Sequence, residues 1–169
     1  MKVKEMLEFL YTVAPKELAE DFDNIGLLVG DKDDEIKGIL VSLDCFDEVI
    51  DRAEDLGANL IITHHPIIFS PLKSVTADGL VHKLIRKGIS VISMHTNLDQ
   101  TEGGVNDTLC AALDLYDVEE LKTKDGFSMR IGFLDQPEDP YSFARHLKET
   151  LGGSIKFVAG EKDIRSVVR

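Results

Sequence analysis

KGILVSLDCFDEVIDRAEDLGANLIITHHP, residues 37–66, decides the fold. Residues 37–43 are an apolar run that ends at Asp44. DEVIDRAEDLG, residues 47–57, switches to helical periodicity and closes on Gly57, the residue type that most readily takes a left-handed helix end. The segment from Ala58 then returns to an apolar run, Leu60-Ile61-Ile62, with a polar end. Near-continuous apolar runs of this length are what strands buried on both faces show.

The pattern repeats downstream. DGLVHKLIRKG (residues 78–88) predicts a helix closed by Gly88, and ISVISMHT (residues 89–96) a third strand. Strand, helix, strand, helix, strand is the βαβαβ order of a mostly parallel α/β sheet flanked by helices. In open sheets of this class ligands bind beyond the carboxyl ends of the strands. Asp44, His64, His65, His95 and Asp99 all fall there.

Upstream, Val3, Met6, Leu7, Leu10 and Tyr11 have helical spacing, and Pro15 ends that helix. DNIGLLVGD (residues 23–31) reads as a short buried strand or a glycine-rich loop. Beyond the third strand, GGVNDTLCAALDL (residues 103–115) predicts a helix and residues 117–126 a junction. FSMRIGFL (127–134) then predicts a strand, PYSFARHLKETLG (140–152) a helix, SIKFVAG (154–160) a strand, and IRSVVR (164–169) the opening of one more. We therefore divide the chain into an α/β metal-binding core, residues 1–120, and an additional βαβ segment, residues 121–169.

With 19 basic and 31 acidic residues the formal charge is −12, which excludes the electrostatic footprint of a nucleic-acid or anionic-membrane binder. The N-terminus has no signal-peptide pattern and no run approaches a membrane span, so a cytoplasmic protein is expected. Cys45 and Cys110 do not make a disulfide framework, and neither has a basic neighbour that would activate it. No phosphate-loop lysine motif and no dinucleotide fingerprint is present.

Divalent metals are held by deprotonated side chains converging from different elements. The candidates are Thr63-His64-His65-Pro66 and His95-Thr96-Asn97-Leu98-Asp99. Three of the five histidines fall at the ends of two strands, whereas His82 and His146 sit mid-helix among basic residues and read as surface. Neighbouring side chains on a regular strand point to opposite faces. His64 and His65 can share one ion only if the strand ends and bends before Pro66. Otherwise each serves a different ion of a pair, with Asp99 as the natural bridging carboxylate. Imidazole plus carboxylate suits Zn, Mn, Fe, Co or Ni. Asn97 and Thr63 are candidates to orient the ligands, and His95 is a ligand, a partner to a ligand, or a general acid–base. Asp23-Asn24-Ile25-Gly26 is expected to be a turn rather than a loop reaching the metal edge. Gly103-Gly104 reads as ordinary helix initiation.

Asp23-Asn24-Ile25-Gly26-Leu27 through Gly30, Thr63-His64-His65-Pro66 and His95-Thr96-Asn97-Leu98-Asp99, in this order, resemble the motifs of the Nif-three-like family, whose members carry the label GTP cyclohydrolase I type 2 homologue. The resemblance implies two divalent metal ions per subunit, with His64, His65 and Asp99 as metal ligands, and assembly into homohexamers. It also implies a C-terminal segment with a further His and a Glu. No His follows His146, so this chain is expected to lack that segment. The function expected from residues and resemblance together is a metal-dependent hydrolase acting on a small nucleotide-like substrate, with His95 as the catalytic acid–base. The rival expectation is a non-catalytic metal-binding or protein-interaction scaffold.

Overall fold

Leu60-Ile61-Ile62 forms β3 (Leu60–Thr63), and the two runs that resemble it form its neighbours, β2 (Ile39–Ser42) and β4 (Ser90–Ser93), in a computed structural model that describes residues 1–124 and 128–168. Both pairings are parallel: Val41 lies opposite Ile62, Ile62 opposite Ile92, and Thr63 opposite Ser93. The two crossovers are α2 (Asp47–Asp55) and α3 (Leu80–Lys87). Gly88 takes the left-handed conformation that ends α3 (φ 62°), and Gly57 does the same just beyond α2 (φ 67°). The expected βαβαβ unit is therefore present.

β1 (Gly26–Val29) completes the sheet, in the order β1-β4-β3-β2, and pairs with β4 antiparallel. Of the two readings left open for the DNIGLLVGD segment, the strand is the one observed. Successive residues of β3 feed opposite faces. Ile61 packs with Ile50, Ala53, Leu84 and Val91 beneath α2 and α3, while Leu60 packs with Val3, Ala14, Ile92 and Met94 beneath α1 (Val3–Val13). A 3-10 turn at Lys16–Leu18 follows Pro15, and the short helix α4 (Thr96–Gln100) follows β4. The Asn97 amide donates to the Ala14 carbonyl (2.7 Å) and the Thr101 hydroxyl to the Val13 carbonyl (2.9 Å). These bonds satisfy carbonyls that the end of α1 leaves unpaired and anchor α4 against it.

The chain divides into two compact units, Met1–Thr101 and Glu102–Arg169. The second holds α5 (Val105–Ala112), β5 (Tyr116–Lys122), β6 (Ser128–Glu138), α6 (Pro140–Leu151) and β7 (Ile164–Val168), with the strands in the order β5-β6-β7. Asp139 caps α6, accepting from the amides of Tyr141 and Ser142 at 3.0 and 3.2 Å.

Three expectations change in this unit. Where a junction was expected, residues 116–122 form β5, which is exposed throughout and has no buried face. The remainder of that junction, Asp125 and Gly126, lies outside the described residues, as does Phe127 at the start of the next expected strand. SIKFVAG forms no strand. The β6-α6-β7 connection is not a parallel βαβ unit, because β7 returns antiparallel, with Ile131 opposite Val168 and Phe133 opposite Ser166.

Candidate metal centre

Because β2, β3 and β4 run parallel and in register, their carboxyl ends align, and the residues just past them share one edge. β3 ends at Thr63 and the chain bends at His64 and His65. The bend keeps its backbone pairing: His64 N–H donates to the Ser42 carbonyl (3.3 Å) and His65 N–H to the Leu43 carbonyl (2.9 Å). Freed from strand alternation, the two rings lie on the same side, with centroids 5.0 Å apart. His95 enters from the turn between β4 and α4, with centroids 5.2 Å from His64 and 5.8 Å from His65. One ligand-capable atom from each of the three histidines lies within 4.8 Å of the other two. Of the two geometries considered for the histidine pair, the early strand end and bend is the one observed.

Each imidazole is oriented through Nδ1. That of His64 meets the Met94 carbonyl (3.0 Å), that of His65 the Asp44 carboxylate (2.7 Å), and that of His95 the Asp23 carboxylate (2.9 Å). A carbonyl or carboxylate oxygen only accepts, so Nδ1 carries the proton in each ring. In the neutral imidazole this leaves Nε2 as the lone-pair nitrogen, three times over. Such a carboxylate or carbonyl behind each histidine is the arrangement that fixes tautomer and ring angle in metal sites.

Asp99 lies one helical turn after His95 on α4, and its backbone N–H donates to the His95 carbonyl (3.0 Å). Its Oδ1 stands 3.6 Å from His64 Nε2 and, among the described residues, is buried without a hydrogen-bond partner. A buried carboxylate oxygen left unpaired is costly, and a cation is the ligand that would satisfy it. Three nitrogen lone pairs beside such an oxygen form a borderline-soft donor set, so the residues present fit a divalent transition metal or zinc.

Asp23 was the residue that sequence reasoning undervalued. Its side chain has no exposed surface. It accepts from His95 Nδ1, from the Asn24 N–H (2.8 Å), from the Thr96 N–H (3.0 Å) and, in a short contact, from the Thr96 hydroxyl. Burial alone would push its carboxyl upward; these hydrogen bonds outweigh that and hold it below the usual carboxylate range. The loop therefore does reach the histidine edge, contrary to the turn expected of it. The expectation for Asn97 and Thr63 also changes. Asn97 ties α4 to α1, and the Thr63 hydroxyl bonds that of Ser93 (2.7 Å), so the histidines are oriented by Asp23, Asp44 and the Met94 carbonyl instead.

Fold and site together define an α/β protein with a parallel three-strand core and a carboxylate-braced histidine cluster. The chain belongs to the Duf34/NIF3 (NGG1p interacting factor 3) family, whose model matches residues 1–168. Among its relatives, a Clostridium perfringens protein called GTP cyclohydrolase 1 type 2 homolog is 44% identical over 117 residues, 67% of this chain and 45% of its own length. A Staphylococcus epidermidis protein of the same name is 36% identical over 154 residues, 89% of this chain and 41% of its own. The chain thus spans less than half the length of these curated relatives. The crystal structure of a Staphylococcus aureus hypothetical protein superposes with a TM-score of 0.88 at 29% identity, covering 99% of this chain and 71% of that one.

Proposed function

We propose that His64, His65, His95 and Asp99 hold divalent metal, two ions per subunit, and that the protein is a hydrolase acting on a nucleotide-like substrate. The observation that carries the metal reading is the pairing of three Nδ1-braced imidazoles with a buried, unpaired Asp99 Oδ1. Bound divalent metal supplies Lewis acidity, polarising a scissile group and acidifying water. The chain's own contribution is positional. Asp23 and Asp44 hold two rings at fixed angles, and the Met94 carbonyl holds the third. His95 is the sequence-derived candidate for acid–base work; with Nδ1 bonded to Asp23 it has one free nitrogen, Nε2, so acid–base work and metal ligation by His95 are alternative uses of that atom.

The nucleotide part of the reading rests on the name shared by the matched relatives, GTP cyclohydrolase 1 type 2 homolog. The same reading makes the protein a cytoplasmic homohexamer. Among the described residues no helix is long and apolar enough to cross a membrane. The family's description as an interacting factor supports a second reading, a metal-holding scaffold for a protein partner.

The test is a turnover screen of the manganese- and zinc-loaded protein against nucleoside mono-, di- and triphosphates, with the His95→Ala variant in parallel. Turnover that falls in the variant is expected. A fully loaded protein inert on every nucleotide would overturn the hydrolase reading and leave the scaffold.

A further inference from the structure

Two phenylalanines rim the histidine cluster and the proposed chemistry uses neither. Phe22 is 57% exposed and Phe69 is 52% exposed, as several other phenylalanines of the chain are; what sets these two apart is that they stand beside the cluster. They meet each other edge-on, with centroids 6.4 Å apart and planes at 64°. Phe69 in turn meets the His95 ring at 6.3 Å and 90°. The two loops that carry them are pinned together, because the Asn24 amide donates to the Ile68 carbonyl at 2.6 Å. On the Phe22 side the loop is further fixed by the Asp23 bonds to His95 and Thr96. The aromatic pair is therefore held in place against the cluster while much of its ring surface faces solvent.

The rest of the rim has a different chemistry. The polar partners of the cluster are Asp23, Asp44, Asp99 and the Met94 carbonyl, all acceptors. Among the described residues these partners include no cation, so they offer an anionic group nothing to pair with, and an uncharged surface is the complementary source of affinity. Exposed, pre-oriented aromatic faces bind flat π-systems by stacking, and they do so whatever the pattern of ring substituents.

We infer that Phe22 and Phe69 form a stacking platform for a flat heteroaromatic ring of the substrate, placing it beside His95. This deepens the proposed function and rests on it for the identity of the site, but stacking itself does not require metal. Phe22 and Phe69 are thereby specificity-determining residues, selecting ring-bearing substrates over sugar phosphates of similar polarity.

The test uses guanosine and ribose as probes, titrated by calorimetry into the whole chain with and without zinc. Metal content is read on the same samples. Guanosine is expected to bind at least about tenfold more tightly than ribose, and Phe22→Ala and Phe69→Ala each to weaken guanosine by roughly 5- to 100-fold. Phe69→Tyr, which keeps the ring, is expected to restore binding. Zinc content should be the same in all variants. Equal binding of guanosine and ribose, or full guanosine binding by a folded Phe22→Ala, Phe69→Ala double variant, overturns the platform. So does a drop in oligomeric mass of that variant with guanosine binding intact, which would make the pair a contact between copies. Loss of the zinc reading with ring-dependent guanosine binding preserved would sink the metal proposal and leave the platform standing.

Discussion

Replacing Asp23 with asparagine tests how the cluster is built. The wild-type carboxylate is fully buried and accepts four hydrogen bonds, from His95 Nδ1, two backbone N–H groups and the Thr96 hydroxyl. Asparagine keeps one acceptor oxygen and turns a donor toward donors. Hydrogen bonds to a charged group contribute about 1.5–3 kcal/mol each, and a stranded buried donor costs about 1–3 kcal/mol. Loss of one to two such bonds therefore predicts a destabilisation of about 1.5–6 kcal/mol. Zinc affinity should fall by roughly 10- to 100-fold, the usual effect of removing the group that orients a ligating histidine. The pH dependence has a defined sign. Asp23's carboxyl is held below its ordinary value in the folded state, so its contribution is complete above the unfolded value near 4 and is lost as pH falls through the lower folded value. Asp23→Asn should thus flatten the acid limb of the stability curve and leave its shape near neutrality unchanged. Urea unfolding of the metal-free protein from pH 2.5 to 7, with a competitive zinc titration, reads both effects. A variant with wild-type stability and zinc affinity within threefold of wild type would mean that Asp23 does not hold the cluster together.

Three further outcomes follow from burial and backbone. Leu60 has no exposed surface, and Leu60→Ala should lose roughly 3 kcal/mol in urea unfolding with zinc stoichiometry unchanged. Gly30 has φ +110°, and a Cβ there would come within 2.0 Å of the Ser90 hydroxyl and 2.7 Å of the Ser90 Cα, so Gly30→Ala should destabilise by at least about 2 kcal/mol in the same assay. Burial, aided by Asp47, pushes the Cys45 thiol up to about 11. A thiol reagent at pH 8 should therefore label Cys45 in the native protein roughly 100-fold more slowly than in urea, as the thiolate fraction requires.

The parallel core was readable because buried strands are continuous apolar runs and the helices between them end on Gly57 and Gly88. The direction of β1 was not, since Leu27-Leu28-Val29 is apolar whichever way it runs, and pairing with β4 is a tertiary choice. β5 was missed for the opposite reason: exposed acidic and apolar residues alternate there without a buried face to set a period. At the site, residue type and strand-end position were enough to single out His64, His65, His95 and Asp99. The roles of Asp23 and Asp44 were hidden, because their histidine partners lie 72 and 21 residues away in sequence. An Asp-Asn-x-Gly segment satisfies turn chemistry equally well, so local reasoning stopped at the turn.

The function proposed for this chain depends on divalent metal at this edge of the sheet. The most direct measurement is metal per chain by mass spectrometry, after loading with zinc and removing free ion, for the wild type and the His64→Ala, His65→Ala double variant. Stoichiometric zinc is expected in the wild type, and its loss to background in a variant that remains folded. Full zinc content in the double variant would contradict metal binding at this edge.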